Sequence, residues 1–113
     1  MIASPIVSLI MGVYNGERYL KEAIGSILNQ SLRDFEFIII NDGSTDKTRE
    51  ILEGYNDERL TIIEQEENKG LTFSLNTAMD HVRGKYIARM DADDISLPER
   101  LEKQVKFLED HSK

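Results

Sequence analysis

The chain alternates four short apolar runs with four segments whose apolar residues recur at helical spacing. The first run, Ile6 to Met11, is rich in β-branched residues, as in a parallel strand covered on both faces. The other predicted strands are Phe35 to Ile40, Leu60 to Glu64 and Lys85 to Met90. Parallel strands need long crossover connections, which helices supply. The pattern therefore predicts an α/β fold with a parallel sheet of about four strands and helices on both faces.

Four helices are expected between and after these strands. The first covers Glu17 to Gln30, and the second covers roughly Lys47 to Gly54. The segment Ser96-Leu97-Pro98-Glu99 has the form of a capping box, which predicts that the fourth helix starts there. The apolar spacing predicts which residues of the third and fourth helices face inward: Leu71, Leu75, Ala78, Met79 and Val82, then Leu97, Leu101, Val105 and Leu108.

Composition excludes several classes of protein. At 113 residues the chain is expected to form a single domain, 1–113. A net charge of −7 without a basic patch argues against nucleic-acid binding, and no apolar run is long enough to span a bilayer. The absence of cysteine suits a reducing cytoplasm. The cytoplasm is therefore the expected location, and the inner face of the membrane is the alternative for the full-length protein. An acidic protein that binds an anion needs a local positive charge, and a bound metal can supply it.

Polar residues stand where three of the predicted strands end. Tyr14 and Asn15 follow the first strand, Asp42 follows the second, and Asp91, Asp93 and Asp94 follow the fourth. With the strand order 3-2-1-4, the order reverses between strands one and four, and ligands of such sheets bind at this point. Three carboxylates within four residues repel one another, and a cation such as Mg2+ or Mn2+ offsets that repulsion. The sequence predicts a crevice that holds a divalent metal and an anionic ligand.

Several other chemistries fit the motifs poorly. The turn after strand one is Gly12-Val13-Tyr14-Asn15-Gly16, which lacks the G-x-G-x-x-G pattern of a dinucleotide site. A receiver domain needs an acid after an early strand, and strand one ends without one. The remaining interpretation is a site for a nucleoside diphosphate. A metal would hold the diphosphate, and the nucleoside would lie against Tyr14, Asn15 and Asp42. A non-catalytic module that binds a nucleoside diphosphate and a receiver-like signalling domain are the alternatives.

Four ordered segments resemble the N-terminal half of the family 2 glycosyltransferases, which are inverting, nucleotide-sugar-dependent enzymes of GT-A fold. The matching segments are Ile6 to Asn15, Ile38 to Asp46, Asn68 to Gly70 with Asn76, and Gly84 to Asp94 followed by Pro98 to Leu101. Gly12 departs from the family pattern, in which proline is common at that place. The sequence of the last segment is similar to that of family members that build bacterial exopolysaccharide, capsule or lipopolysaccharide.

The resemblance implies a role for each residue at the nucleotide. Asp42 would accept an N–H group of the base, with uracil expected. Val13, Tyr14 and Asn15 would line the base, with Tyr14 stacked on it or merely packed at the end of the strand. Asp91 and Ala92 would contact the nucleotide near its ribose. The expected donor is a UDP-sugar, and the expected acceptor is a sugar or a lipid-linked sugar.

The resemblance also implies the metal site. Asp91 and Asp93 would hold Mn2+ or Mg2+, and Asp93 would take part in catalysis through this metal. Asp94 would either support the metal shell or cap the next loop. Arg89 is expected to pair with Asp91 rather than to clamp the diphosphate.

Family members continue past the metal motif into a part that holds the acceptor and a catalytic Asp or Glu. The chain ends at Lys113, one helix after this motif, so residues 1–113 are expected to be the donor-binding part. A fragment and a truncated protein that binds without turnover both fit this expectation. Strand four, Lys85 to Met90, would then lie at an exposed edge, through which copies of the chain are expected to associate.

Overall fold

The structure, a computed structural model, describes residues 5–111, so the limits of the predicted domain at residues 1 and 113 lie outside it. The chain alternates strands and helices as predicted. The elements are β1 (Val7–Val13), α1 (Leu20–Leu28), β2 (Phe35–Asp42), α2 (Thr48–Glu53), β3 (Leu60–Gln65), α3 (Leu71–Met79), β4 (Tyr86–Arg89) and α4 (Arg100–His111). None of the helices between residues 5 and 111 combines the length and hydropathy that a membrane span needs.

The four strands form one parallel sheet in the order β3-β2-β1-β4, which confirms the predicted topology. Val7 of β1 pairs with Phe35 on one side and with Tyr86 on the other. Strand β4 has β1 as its neighbour in the sheet, so β4 lies at an edge within the described part of the chain. Association of copies through this edge stays a prediction.

Helices cover both faces of the sheet, as expected. Odd-numbered residues of β1 and β2, such as Leu9 and Phe37, pack with α1, α2 and α4 in the larger core. The alternate residues Ile10, Ile38 and Ile40 pack against Ala78 of α3 in a smaller core. This division follows from the two-residue period of a strand, which sends neighbouring side chains to opposite faces.

The expected inner face of α3 is partly wrong. Leu71 and Met79 are 46% and 43% exposed, whereas the small residues Ser74 and Ala78 are buried. The helix lies close to β1 at Gly12, where an added Cβ would come within 3.1 Å of both Leu71 Cδ1 and Ser74 Cβ. Small residues at the contact allow this close approach and leave the larger side chains at its margins.

The predicted start of the fourth helix is also wrong. Helix α4 begins at Arg100, and Leu97 is 78% exposed. A capping box requires the Glu99 side chain to accept the N–H of Ser96, but this N–H donates to Ser26 Oγ at 3.0 Å. Glu99 instead lies 4.0 Å from Lys103. Other bounds also differ: β1 runs two residues beyond Met11 to Val13, α1 begins at Leu20 instead of Glu17, and α3 ends at Met79, before Val82.

A buried carboxylate that the strand pattern did not reveal joins the amino ends of β1 and β2 to the turn before β4. Glu36 accepts hydrogen bonds from Ser8 Oγ at 2.5 Å, from the backbone N–H of Arg83 at 2.7 Å and from Arg83 Nη2 at 3.0 Å. The N–H of Gly84 donates to Ser8 Oγ at 2.7 Å. Burial raises the pKa of Glu36, but these hydrogen bonds and the charge of Arg83 outweigh it and leave the pKa lowered.

We expect Glu36→Gln to lower the free energy of unfolding by about 2–3 kcal/mol, because an amide cannot accept all of these donors and buried donors are left unpaired. Arg49→Ala is the control, since it removes the exposed pair of Arg49 with Glu53 and is expected to cost less than about 0.5 kcal/mol. Urea unfolding at neutral pH measures both. Equal losses for the two variants would contradict the buried role of Glu36.

The lowered pKa of Glu36 gives the direction of the pH dependence. Its stabilising contribution is fully present above the pKa of the unfolded chain and is lost as pH falls through the lowered pKa of the folded state. The difference in unfolding free energy between the natural chain and Glu36→Gln should therefore shrink as the solution is acidified. A constant difference down to the acid transition would show that the charge of Glu36 contributes nothing.

Candidate functional site

The carboxyl ends of β1, β2 and β4 meet at one edge of the sheet and enclose two adjoining cavities. One cavity is lined by Gly12, Val13, Tyr14, Asp42, Asn68, Gly70, Leu71 and Ser74. The other is lined by Gly12, Tyr14, Asn15, Gly16, Tyr19, Leu71, Asp91, Ala92 and Asp93. The residues predicted to contact the nucleotide or the metal each line one of these cavities: Val13, Tyr14, Asn15, Asp42, Asp91, Ala92 and Asp93. The strand order brings them together, because it places the ends of β1 and β4 beside each other and next to β2. Asp94 lines neither cavity.

The Asp42 carboxylate is 3% exposed and accepts four hydrogen bonds at the end of β2. Its Oδ1 accepts from Gln65 Nε2 at 2.8 Å and from the backbone N–H of Lys69 at 2.7 Å. Its Oδ2 accepts from the N–H of Gly70 at 2.9 Å and from Asn68 Nδ2 at 3.2 Å. The side chain therefore anchors the segment before α3 while it lines the first cavity.

Gly43 allows this segment to lie directly against the end of β2. Its φ is +67°, and an added Cβ would lie 2.4 Å from the backbone nitrogen of Asn68. A side chain at position 43 would therefore be strained and would also push the segment away from Asp42. Glycine is required here by both backbone angle and space.

Asp91, Asp93 and Asp94 form an exposed group of acids after β4. Each carboxylate can offer an oxygen within 4.8 Å of the others. Carboxylate oxygens at this spacing are suitable ligands for Mg2+ or Mn2+. The N–H of Asp94 donates to the carbonyl of Asp91 at 3.1 Å, which closes the turn that groups the acids.

Arg89 lies 3.4 Å from Asp91, which confirms the expected ion pair. Both side chains are 54% exposed, so this ion pair contributes little to stability, and another cation can readily replace Arg89 beside Asp91. Asp91 is thus the one acid of the group with an arginine beside it in this state.

Apolar side chains form a rim around the cavity that holds the acids. Tyr14, Tyr19 and Leu71 are each about half exposed and line it. Sequence reasoning identified Tyr14 alone. Tyr19 stands just before the first buried residue of α1, and Leu71 had been assigned to the inner face of α3, so helical spacing gave no signal for either.

The four-stranded parallel sheet with helices on both faces is the GT-A fold of glycosyltransferases. The sequence pattern of glycosyl transferase family 2 matches residues 8–113, and the chain belongs to this family. Membership excludes the receiver-like alternative.

Relatives match nearly the whole chain. A Bacillus subtilis protein named as the glycosyltransferase EpsE is 50% identical over 114 residues, which cover 98% of this chain and 41% of that protein. Another Bacillus subtilis protein, TuaG, named as a glycosyltransferase of teichuronic acid biosynthesis, is 40% identical over 96% of this chain and 44% of its own length. The chain therefore spans less than half the length of these relatives.

Solved structures have the same fold. S. aureus TarS 1–349 in complex with UDP-GlcNAc has a TM-score of 0.86 and 31% identity, over 93% of this chain and 31% of that one. The mannosyltransferase PcManGT of Pyrobaculum calidifontis, in complex with GDP-Man and Mn2+, has a TM-score of 0.84 and 30% identity, over 97% of this chain and 34% of that one. Both comparisons confirm the predicted GT-A architecture.

We expect Gly43→Ala to lower the free energy of unfolding by at least about 1–2 kcal/mol, because the positive φ and the contact with Asn68 both oppose a side chain. Gly25→Ala is the matched control. Gly25 lies within α1, and an added Cβ there meets no atom within 4 Å, so stability should rise by about 0.5–1 kcal/mol. Thermal or urea unfolding compares the pair, and equal effects would contradict the tight contact at Gly43.

Proposed function

We propose that the protein transfers a sugar from a nucleotide-diphospho-sugar to an acceptor hydroxyl with inversion, in the synthesis of a bacterial cell-surface polysaccharide. The donor is a UDP-sugar, and this chain supplies donor and metal binding. The observation that carries the proposal is the pair of adjoining cavities: Tyr14 lines both, Asp42 lines one, and Asp91 and Asp93 line the other. The complex of TarS with UDP-GlcNAc and the name of TuaG support the donor and the pathway class.

The nucleoside would occupy the first cavity. Asp42 would accept an N–H group of uracil, and Val13 and Tyr14 would line the base, with the half-exposed ring of Tyr14 stacked on it. Because Asp42 already accepts four hydrogen bonds, base binding requires one of these contacts to lengthen. In return, the four donors hold the carboxylate in one orientation before the ligand arrives.

The diphosphate would lie in the second cavity, beside Asp91, Ala92 and Asp93. Asp91 and Asp93 would hold Mn2+ or Mg2+, with Asp94 beside them. The metal ion would take the place of Arg89 beside Asp91. When bound, the metal would offset the negative charge that develops on the leaving nucleoside diphosphate. The complex of PcManGT with GDP-Man and Mn2+ supports this assignment.

Inversion by a single displacement needs a base that deprotonates the acceptor hydroxyl. We assign this base, an Asp or Glu, and the site for a sugar or lipid-linked acceptor to polypeptide beyond residues 1–113. The length of the relatives supports this division, since the chain covers 41% of EpsE. We place the full-length protein in the cytoplasm, either in solution or at the inner face of the membrane. The remaining alternative is a module that binds a nucleoside diphosphate without catalysis.

We expect the chain to bind UDP only in the presence of Mn2+ or Mg2+, because a protein of net charge −7 with three acids in the crevice repels a bare diphosphate. Calorimetry with metal and with EDTA measures this. Asp93→Asn should abolish the metal-dependent part, and equal affinity in metal and in EDTA would contradict the metal site.

The two cavities can be tested separately. Asp110→Asn is the charge control, because it removes one negative charge near the far end of α4 and should leave the affinity for UDP unchanged. Asp42→Ala should weaken UDP binding about tenfold or more while the chain still binds Mn2+ alone, since the acids after β4 are untouched. Loss of Mn2+ binding in Asp42→Ala would show that the two cavities are not independent.

We expect the 113-residue chain by itself to give neither sugar transfer nor more than trace hydrolysis of UDP-sugars. A general base contributes about 10²–10⁴-fold to such reactions, and acceptor positioning contributes more. Chromatography of the products formed from UDP-GlcNAc in the presence of Mn2+ measures both reactions. Robust transfer would mean that an acid of this chain serves as the base.

A further inference from the structure

Two loops at the carboxyl edge of the sheet are joined by hydrogen bonds from three successive backbone N–H groups. The first loop, residues 14–19, connects β1 to α1, and the second loop, residues 43–47, connects β2 to α2. Each of these three N–H groups donates to a different side chain of the second loop or of the residue after it. The pairs are Asn15 N to Ser44 Oγ at 2.9 Å, Gly16 N to Thr48 Oγ1 at 2.8 Å and Glu17 N to Asp46 Oδ2 at 3.2 Å.

The first loop also sends a side chain to the second. Asn15 Oδ1 accepts the backbone N–H of Thr45 at 2.8 Å and lies 3.4 Å from Thr45 Oγ1. Asn15 has a φ of +52°, a backbone conformation that asparagine tolerates better than most residues. Its oxygen is therefore engaged with protein, although the residue also lines the second cavity.

The acceptors are themselves held in place. Asp46 Oδ1 accepts the N–H of Thr48 at 2.9 Å and its hydroxyl at 2.5 Å, and Ser44 Oγ donates to Asn41 Oδ1 at 2.6 Å. Thr48 is fully buried. Burial raises the pKa of Asp46, but the hydrogen bonds from Thr48 and Glu17 outweigh it and leave the pKa lowered. The second loop thus presents a fixed row of oxygens.

Tyr14 directly precedes the three N–H groups and lines both cavities. We propose that Ser44, Asp46 and Thr48 are positioning residues, which fix the first loop so that Tyr14 is held in the nucleotide crevice. They act through the loop and touch no ligand. This inference rests on the proposed function for the meaning of the crevice.

These hydrogen bonds should strengthen nucleotide binding, because a loop that is ordered in advance loses less conformational freedom when the nucleotide binds. Removing one acceptor frees a backbone N–H and lets the loop move. Nucleotide binding should then weaken, while binding of Mn2+ alone at the acids after β4 should not. A general loss of folding would affect both.

Thr48→Val tests this role, since it removes the hydroxyl and keeps the shape, and Thr48→Ser is the matched control that keeps the oxygen. We expect Thr48→Val to raise the Kd for UDP with Mn2+ about three- to tenfold, as measured by calorimetry. Thr48→Ser should bind within about twofold of the natural chain. The Kd for Mn2+ alone should be unchanged in both.

The mobility of the loop can be measured directly because the chain has no tryptophan. Tyr14→Trp introduces a single tryptophan at the crevice, whose fluorescence can be excited apart from that of the remaining tyrosines. In this background, Thr48→Val should lower the fluorescence anisotropy of the free chain, and Thr48→Ser should restore it. This measurement needs no ligand.

Glu36→Gln separates positioning from stability, since it destabilises the opposite end of the sheet and should leave both the Kd and the anisotropy unchanged. An equal loss of affinity in Glu36→Gln, or unchanged anisotropy and affinity in Thr48→Val, would overturn the inference. Failure of the natural chain to bind UDP would contradict the proposed function instead, and the anisotropy would still decide whether Thr48 holds the loop.

Discussion

At the carboxyl edge of the sheet, the backbone N–H groups of the loops must find hydrogen-bond acceptors. Two acidic side chains accept several of these hydrogen bonds. Asp42 accepts the N–H groups of Lys69 and Gly70, and Asp46 accepts those of Glu17 and Thr48. Each acid therefore ties a loop that begins elsewhere in the chain to the end of β2. A buried or enclosed amide without a partner costs about 1–3 kcal/mol, so the shape of the crevice depends on these carboxylates.

The acids at the carboxyl edge of the sheet are thus of two kinds. Asp42 and Asp46 have their oxygens occupied by donors from the protein, so their charge is compensated within the fold. The carboxylates of Asp93 and Asp94 are exposed and lie within 4.8 Å of each other and of Asp91. Mutual repulsion at this distance is offset in water by solvation and counter-ions, and a divalent cation does so more strongly. The compensated acids hold the loops in place, and the exposed acids after β4 are those that we propose bind a metal.

Periodicity in the sequence predicted the strands. The order 3-2-1-4 is the commonest arrangement of such sheets, and that order predicted that Tyr14, Asn15, Asp42 and the acids after β4 lie at the same edge. Periodicity could not predict how closely a helix approaches the sheet. Leu71 is exposed because Gly12 and Ser74 bring α3 near β1. Long-range partners were equally invisible: nothing local pairs Ser96 with Ser26 or Glu36 with Arg83. The hydrogen bonds between the first and second loops were missed for the same reason, since nothing local pairs Ser44 or Asp46 with residues 15–17.

The acids after β4 depend on α4 as well as on the sheet. Strand β4 has only four residues and pairs with β1, so the sheet alone holds it weakly. Arg100 at the start of α4 donates to the carbonyl of Arg89 at 2.8 Å, and Glu109 near its end accepts from Tyr86 Oη at 2.8 Å. The helix thus holds both ends of the strand. Because Arg89 stands two residues before Asp91, the contact with Arg100 fixes the point from which the acidic turn departs. The helix that follows the acids in the chain is therefore part of what positions them.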